Sequence, residues 1–157
     1  MPNGKRLDEG LRYRFLTKLA KEANGQGVIC GNVTTKNWIS KQVGKSRNSI
    51  IEGRISLTYW IHMESARVEW WIWIGKEQEE VEAARHAFDR CIRSNKSEIE
   101  ASYGGLLNWD FPRKSAFSVQ QDYPDFRLSD LSRWDYWIGK MVSDMKRLDD
   151  ATLPHYT

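Results

Sequence analysis

The 157-residue sequence has little of what rigid chemistry is usually built from. Its two cysteines, Cys30 and Cys91, fall in no CxxC or Cys/His spacing, which excludes a disulfide framework and a zinc knuckle. Both read as free, inert thiols, Cys91 on an apolar helix stripe and Cys30 in the apolar triplet Val28-Ile29-Cys30. With no secretory signal ahead of Gly4, the expected localisation is cytoplasmic, and the Asn32-Val33-Thr34 sequon then carries no meaning. The three histidines, His62, His86 and His155, have no paired spacing, so no metal is expected. No apolar run approaches the roughly 18 residues of a membrane span. A GxxxxGK[ST] phosphate loop, a GxGxxG after a strand, HExxH and GxSxG are all missing. The one (D/E)xK triplet, Asp144-Met145-Lys146, falls on a helix, where Asp144 reads as a solvated surface acid rather than a nuclease carboxylate. No catalytic residue and no cofactor come out of this search. The net charge of +3 is too mild to choose a partner by itself.

Tryptophan is what the sequence has in excess: eight residues, four of them between Arg54 and Gly75. That stretch, RISLTYWIHM-ES-ARVEWWIWIG, reads as a β-hairpin around a two-residue Glu64-Ser65 turn. With Met63 paired to Ala66, Ile61 faces Val68, Tyr59 faces Trp70, Leu57 faces Ile72 and Ile55 faces Ile74. Those pairs form an almost wholly apolar face. The other face pairs His62 with Arg67, Trp60 with Glu69, Thr58 with Trp71 and Ser56 with Trp73. Side chains alternate along a strand, so the two faces cannot share one core. A solvated sheet face is ordinarily Thr, Lys and Glu. Indoles beside His62, Arg67 and Glu69 mean a face that is covered by a helix or a second copy, or offered to a ligand. The pattern leaves that choice open.

Around the hairpin the sequence predicts one α+β domain spanning residues 1–157, long enough to bury roughly 70% of its unfolded surface. Leu7, Leu11, Phe15 and Leu19 mark a first helix over 6–23, whose other face carries Arg12, Arg14, Lys18 and Lys21. Asn24-Gly25-Gln26-Gly27 ends it. A short strand or helical turn is expected at 37–43. Val81, Ala84, Phe88, Cys91, Ile92, Ile99 and Tyr103 keep helical phase over 76–102, behind an acidic first turn that suits the helix dipole. Two strand candidates, 106–111 and 115–121, flank Pro112-Arg113-Lys114 as a second hairpin. A last helix over 129–150 carries Leu131, Trp134, Ile138, Met141, Val142, Met145 and Leu148. The expected order is α-ββ-α-ββ-α, with three helices on an antiparallel sheet of two hairpins.

Two features point to binding. The face Trp60, His62, Arg67, Glu69, Trp71 and Trp73 has flat indoles beside charge, suited to stacking nucleobases or sealing against another protein or a second copy. The connector Lys36, Lys41, Lys45, Arg47 and Arg54, around Trp38, has almost no opposing acid and suits phosphate contacts. Core packing and a solvated loop are the plain structural alternatives for each.

With those residues laid out, the chain resembles an uncharacterised prokaryotic family, domain of unknown function 4268, from Leu11 to Leu148. The likeness rests on Asn37-Trp38, Ala66-Arg67-Val68-Glu69, Phe88-Asp89, Glu98-Ile99-Glu100 running into Tyr103-Gly104, Leu107-Asn108-Trp109 and the helix from Trp134 to Leu148. The resemblance implies a non-catalytic module, often attached behind restriction-endonuclease-like domains, in a nucleic-acid or defence setting. It brings no catalytic residues with it, and draws attention to Arg67, Glu69, Tyr103 and Trp109. These 157 residues hold no nuclease part and are richer in tryptophan across the hairpin. The expected partners are DNA or RNA, a nuclease or other protein, and a second copy in a homodimer, with no membrane. The main expectation is an accessory nucleic-acid-binding module. Its rivals are a protein-interaction module (a defence-system subunit, immunity protein or inhibitor) and a small-molecule enzyme with Glu69, or His62, as base.

Overall fold

The structure, a computed structural model, describes residues 4–28, 30–43, 54–73, 78–109 and 116–156. In chain order these form α1 (Gly4–Gly25), β1 (Trp38–Gln42), β2 (Arg54–Ile61), β3 (Ala66–Trp73), α2 (Gln78–Cys91), α3 (Lys96–Tyr103), β4 (Ala116–Tyr123) and α4 (Trp134–Thr152). Single 3-10 turns occur at Arg93–Asn95, Leu131–Arg133 and Leu153–His155. The class is α+β, with one antiparallel sheet in the order β1-β2-β3-β4.

Period-2 alternation gives this sheet one apolar face, and the helices gather there. Ile55, Leu57, Tyr59, Ile61, Val68, Trp70, Ile72 and Val119 are buried on it. Trp70 packs against Phe88 of α2 and against Tyr156, and Phe117 of β4 stacks on Phe88 at 5.2 Å. Tyr123 of β4 meets Trp137 of α4 edge-on, while Phe15 of α1 sits edge-on to both Trp134 and Phe126. Tyr103, ending α3, donates to Gln121 Oε1 at 2.9 Å. The predicted stripes of α1 and α4 are buried at Phe15, Leu19, Trp134, Ile138, Met141, Val142, Met145 and Leu148.

Where the structure departs from the sequence pattern, remote contacts supply the reason in the hairpin and local ones in the helix. The β2–β3 connection spans His62 to Ser65 rather than two residues, so Ile61 pairs with Ala66, Tyr59 with Val68 and Leu57 with Trp70. His62 N–H still closes the loop on the Ser65 carbonyl at 2.9 Å. Meanwhile Leu128 N–H takes the Met63 carbonyl at 2.9 Å, and Arg127 takes that of Glu64 at 2.7 Å. A slip of two leaves every side chain on its expected face, whereas a slip of one would reverse them all. The single helix predicted over 76–102 is broken at Arg93–Asn95. There Ser94 Oγ donates to the Arg90 carbonyl and Asn95 Nδ2 to that of Cys91, side chains competing for the helix's own acceptors.

The second hairpin is the larger correction. Its later strand is β4, which pairs with β3, and 37–43 contributes a strand, β1, on the other side of β2. Of the described part of 106–111, only Asn108 pairs in sheet fashion, as an isolated bridge to Gln120 on the outer edge of β4. Beside it, the Leu107 N–H donates to the Glu100 carboxylate at 2.7 Å. Pro112, Arg113 and Lys114 lie outside the described residues. Leu131 is also misplaced, at 48% exposed, because α4 begins only at Trp134 and Leu131 falls in the preceding 3-10 turn.

Asp144 is not a solvated acid. It is 2% exposed, accepts from the Tyr123 hydroxyl at 2.7 Å, and pairs with Lys140 at 3.5 Å and with Arg147. Burial and the Asp144 charge push the Tyr123 hydroxyl far above its usual range. The Asp144–Tyr123 contact ties α4 to β4.

Candidate functional site

The sheet face turned away from the helices is ordered in three rungs. The first runs Trp38, Trp60, Arg67, Asp122; the second Ser40, Thr58, Glu69, Gln120; the third Gln42, Ser56, Trp71, Ser118. Its middle is polar and buried. Glu69 is 0% exposed, and a buried carboxylate is tolerable only where donors converge on it. Trp60 Nε1 donates to Oε1 at 3.3 Å, Gln120 Nε2 donates to Oε2 at 2.7 Å, and Arg67 Nε lies 3.4 Å from Oε2. Around this centre Trp71 Nε1 donates to Thr58 Oγ1 at 2.7 Å, and Ser40 and Thr58 share a hydroxyl hydrogen bond at 2.8 Å. Gln120 Nε2 also reaches Ser118 Oγ at 2.9 Å. The amide nitrogen must face the carboxylate, so Gln120 Oε1 points elsewhere, buried and without a partner.

The first rung carries cations on exposed aromatic surface. Trp38 and Trp60 are half-buried, their rings 6.0 Å apart. Lys36 Nζ sits 4.6 Å over the Trp38 ring, and the Arg67 guanidinium 4.8 Å over Trp60. Such contacts contribute about 0.5–1 kcal/mol each at exposed sites. His62 continues the row, stacked on Trp60 at 6.2 Å with 11° between the planes. Asn37 Nδ2 lies 3.2 Å from His62 Nδ1. The amide donates, so the neutral ring carries its proton on Nε2. Burial first, and then the charges of Arg67 and Arg12, hold the His62 pKa below 6.5.

The residues singled out by sequence are thus distributed unevenly. Trp60, His62 and Arg67 come together half-buried, Glu69 lies beneath them, and Trp71 stands one rung beyond. Lys36 joins them through Trp38. Lys41 does not: it alternates with Ser40 and Gln42 and so lies on the opposite side of β1, exposed. Lys45 and Arg47 lie outside the described residues. Arg54 and Trp73 pair at the far end of the hairpin, and their side chains are outside the described set. Tyr103 and Trp109 are buried on the helix side. Ser118 and Gln120 were missed, although Ser118, Gln120 and Asp122 alternate with Phe117, Val119 and Tyr123 as a half-polar strand should. Arg12 was seen only as part of a basic helix face.

Cys30 is inert at neutral pH, since burial pushes its thiol to about 11. A separate hollow of about 330 Å³ lies between α1 and the start of α4, lined by Tyr13, Arg14, Thr17, Lys18, Leu131 and Trp134. Among the described residues no cluster of three or more His, Cys, Asp or Glu side chains is placed to hold a metal, and no helix is long and apolar enough to cross a membrane.

No family model, curated protein or solved structure matches the chain. The chemistry of the first rung and the buried acid beneath it is therefore the basis for assigning a role.

Proposed function

We propose that the chain is a non-catalytic accessory module that binds nucleic acid through the Trp38–Trp60 row. Unpaired bases stack on the indoles, while Lys36 and Arg67 contact phosphates. The observation that carries this is the pairing of two half-buried indoles, 6.0 Å apart, with a cation over each. Base–indole stacking contributes about 1–3 kcal/mol per base and needs the base out of a duplex, so single strands are the favoured form. Lys45, Arg47 and Arg54 are further cations that the sequence offers for phosphate contacts in this reading. A setting beside a nuclease, which the sequence resemblance implies, is part of this proposal.

Glu69 acts here as a positioning residue. It holds the Trp60 N–H and the Arg67 side chain in place, and its oxygens already accept from Trp60 and Gln120. A base role would require displacing those donors, which disfavours the enzyme reading. The test is fluorescence anisotropy of labelled oligothymidylate over a range of salt. Binding should weaken steeply and linearly on logarithmic axes, and Lys36→Ala should reduce the slope by about one. Affinity indifferent to salt would contradict phosphate contacts and favour an apolar protein interface.

A further inference from the structure

The hollow between α1 and the start of α4 is built by helices, apart from the sheet face that carries Trp38 and Trp60. Its floor is fixed in place. Trp134 is buried, donates its indole N–H to the Leu128 carbonyl at 2.8 Å, and packs edge-on against Phe15. Its apolar walls are open to water: Tyr13 is 51% exposed, and Leu131, in the 3-10 turn before α4, is exposed too. Large apolar side chains from opposite ends of the chain, gathered around one hollow, mark a surface for a partner. At about 330 Å³ the space lies near the lower limit of ligand cavities, roughly 300–1,000 Å³. Five of the six lining residues are exposed, so a free small molecule would stay largely in water. A peptide can seat one side chain there and rest its remainder on the surrounding surface. Tyr, Trp and Arg are also the residue types that anchor protein interfaces.

The polar lining is cationic. The Arg14 guanidinium lies 5.8 Å from the Trp134 ring centre, and Lys18 follows one turn along α1. Thr17 commits its hydroxyl proton to the Tyr13 carbonyl at 2.7 Å. Acids surround the hollow and narrow what it can take. Asp135 pairs with Lys18 at 3.4 Å, and Glu9 lies one turn before Tyr13 on α1. Glu22, one turn beyond Lys18, accepts from Gln26 Nε2 at 2.6 Å, and Asp130 accepts from the Ser132 hydroxyl at 2.6 Å. Among the described residues Arg14 has no carboxylate partner. One free guanidinium suits one carboxylate, which it can hold through two parallel hydrogen bonds. A chain of phosphates would meet Asp135 and Glu9 as well, and is disfavoured. Independently of the nucleic-acid reading, we propose that this hollow docks an acidic-apolar peptide segment of a partner protein. One large apolar side chain sits against Tyr13, Leu131 and Trp134, and an adjacent carboxylate pairs with Arg14.

The test is an NMR titration of the full chain with three N-acetylated tetrapeptide amides, read at the Tyr13, Thr17 and Leu131 amides and the Trp134 indole N–H. The first peptide sets leucine beside aspartate between two glycines. The second has asparagine for the aspartate, and the third alanine for the leucine. The first should shift these four resonances to saturation. Loss of the carboxylate should weaken binding about threefold, and loss of the leucine side chain about tenfold. Arg14→Gln, at an exposed position, should bring the first peptide down to the affinity of the second and leave the second unchanged. Resonances that stay in place up to the solubility limit of the first peptide, or equal binding of the aspartate and asparagine peptides, overturn the proposal. So do shifts produced by oligothymidylate but not by peptide, which would assign the cations to phosphates. Shifts produced only by raising the protein concentration overturn it as well, and would make a second copy the occupant.

Discussion

Glu69 sets the character of the whole face from one position. Its carboxylate is fully buried on a sheet face that carries no apolar core, and it accepts from Trp60 and Gln120 with Arg67 alongside. Removing the acid while its donors stay buried strands a guanidinium and two N–H groups. Glu69→Ala should therefore cost about 3–5 kcal/mol, seen as a lower urea midpoint with an unchanged slope. Glu69→Gln keeps an acceptor and should cost less. A Glu69→Ala protein as stable as the parent would show that the acid is solvated instead.

At the scale of elements, the sheet's exposed edges are managed by backbone packing. Gly31 runs along the outer edge of β1, where an added Cβ would lie 2.1 Å from the Ser40 carbonyl oxygen. No side chain fits there without moving one strand or the other. Gly31→Ala should destabilise by about 1–3 kcal/mol, measured as a shift in denaturation midpoint. A midpoint shift below measurement error would mean that the edge of β1 is free. At the other edge, Asn108 bridges Gln120. Most of this architecture was legible in the sequence. Strict alternation from Ile55 to Ile72 exposed both faces of the hairpin, and 3.6-residue phase located α1 and α4. What stayed hidden depended on partners remote in sequence. The loop length follows from Arg127 and Leu128 capturing the Glu64 and Met63 carbonyls, and the burial of Asp144 follows from the Tyr123 hydroxyl. The break after α2 was readable in principle, since Ser94 and Asn95 both favour side-chain bonds to backbone over helix interiors.

On the whole molecule, function and folding divide between the two sides of one sheet. One side meets α2, α3 and α4, with α1 packed on α4, while the other carries a buried polar rung beside half-buried indoles and cations. Each edge has a described segment against it, Gly31 at β1 and Asn108 at β4. The most direct measurement is an NMR titration that follows all eight indole N–H resonances as oligothymidylate is added. The account predicts that Trp38 and Trp60 shift progressively to saturation, while Trp70, Trp134 and Trp137, buried among the helices, stay in place. Unchanged Trp38 and Trp60 resonances at saturating oligothymidylate, or shifts confined to the helix-side indoles, would contradict it.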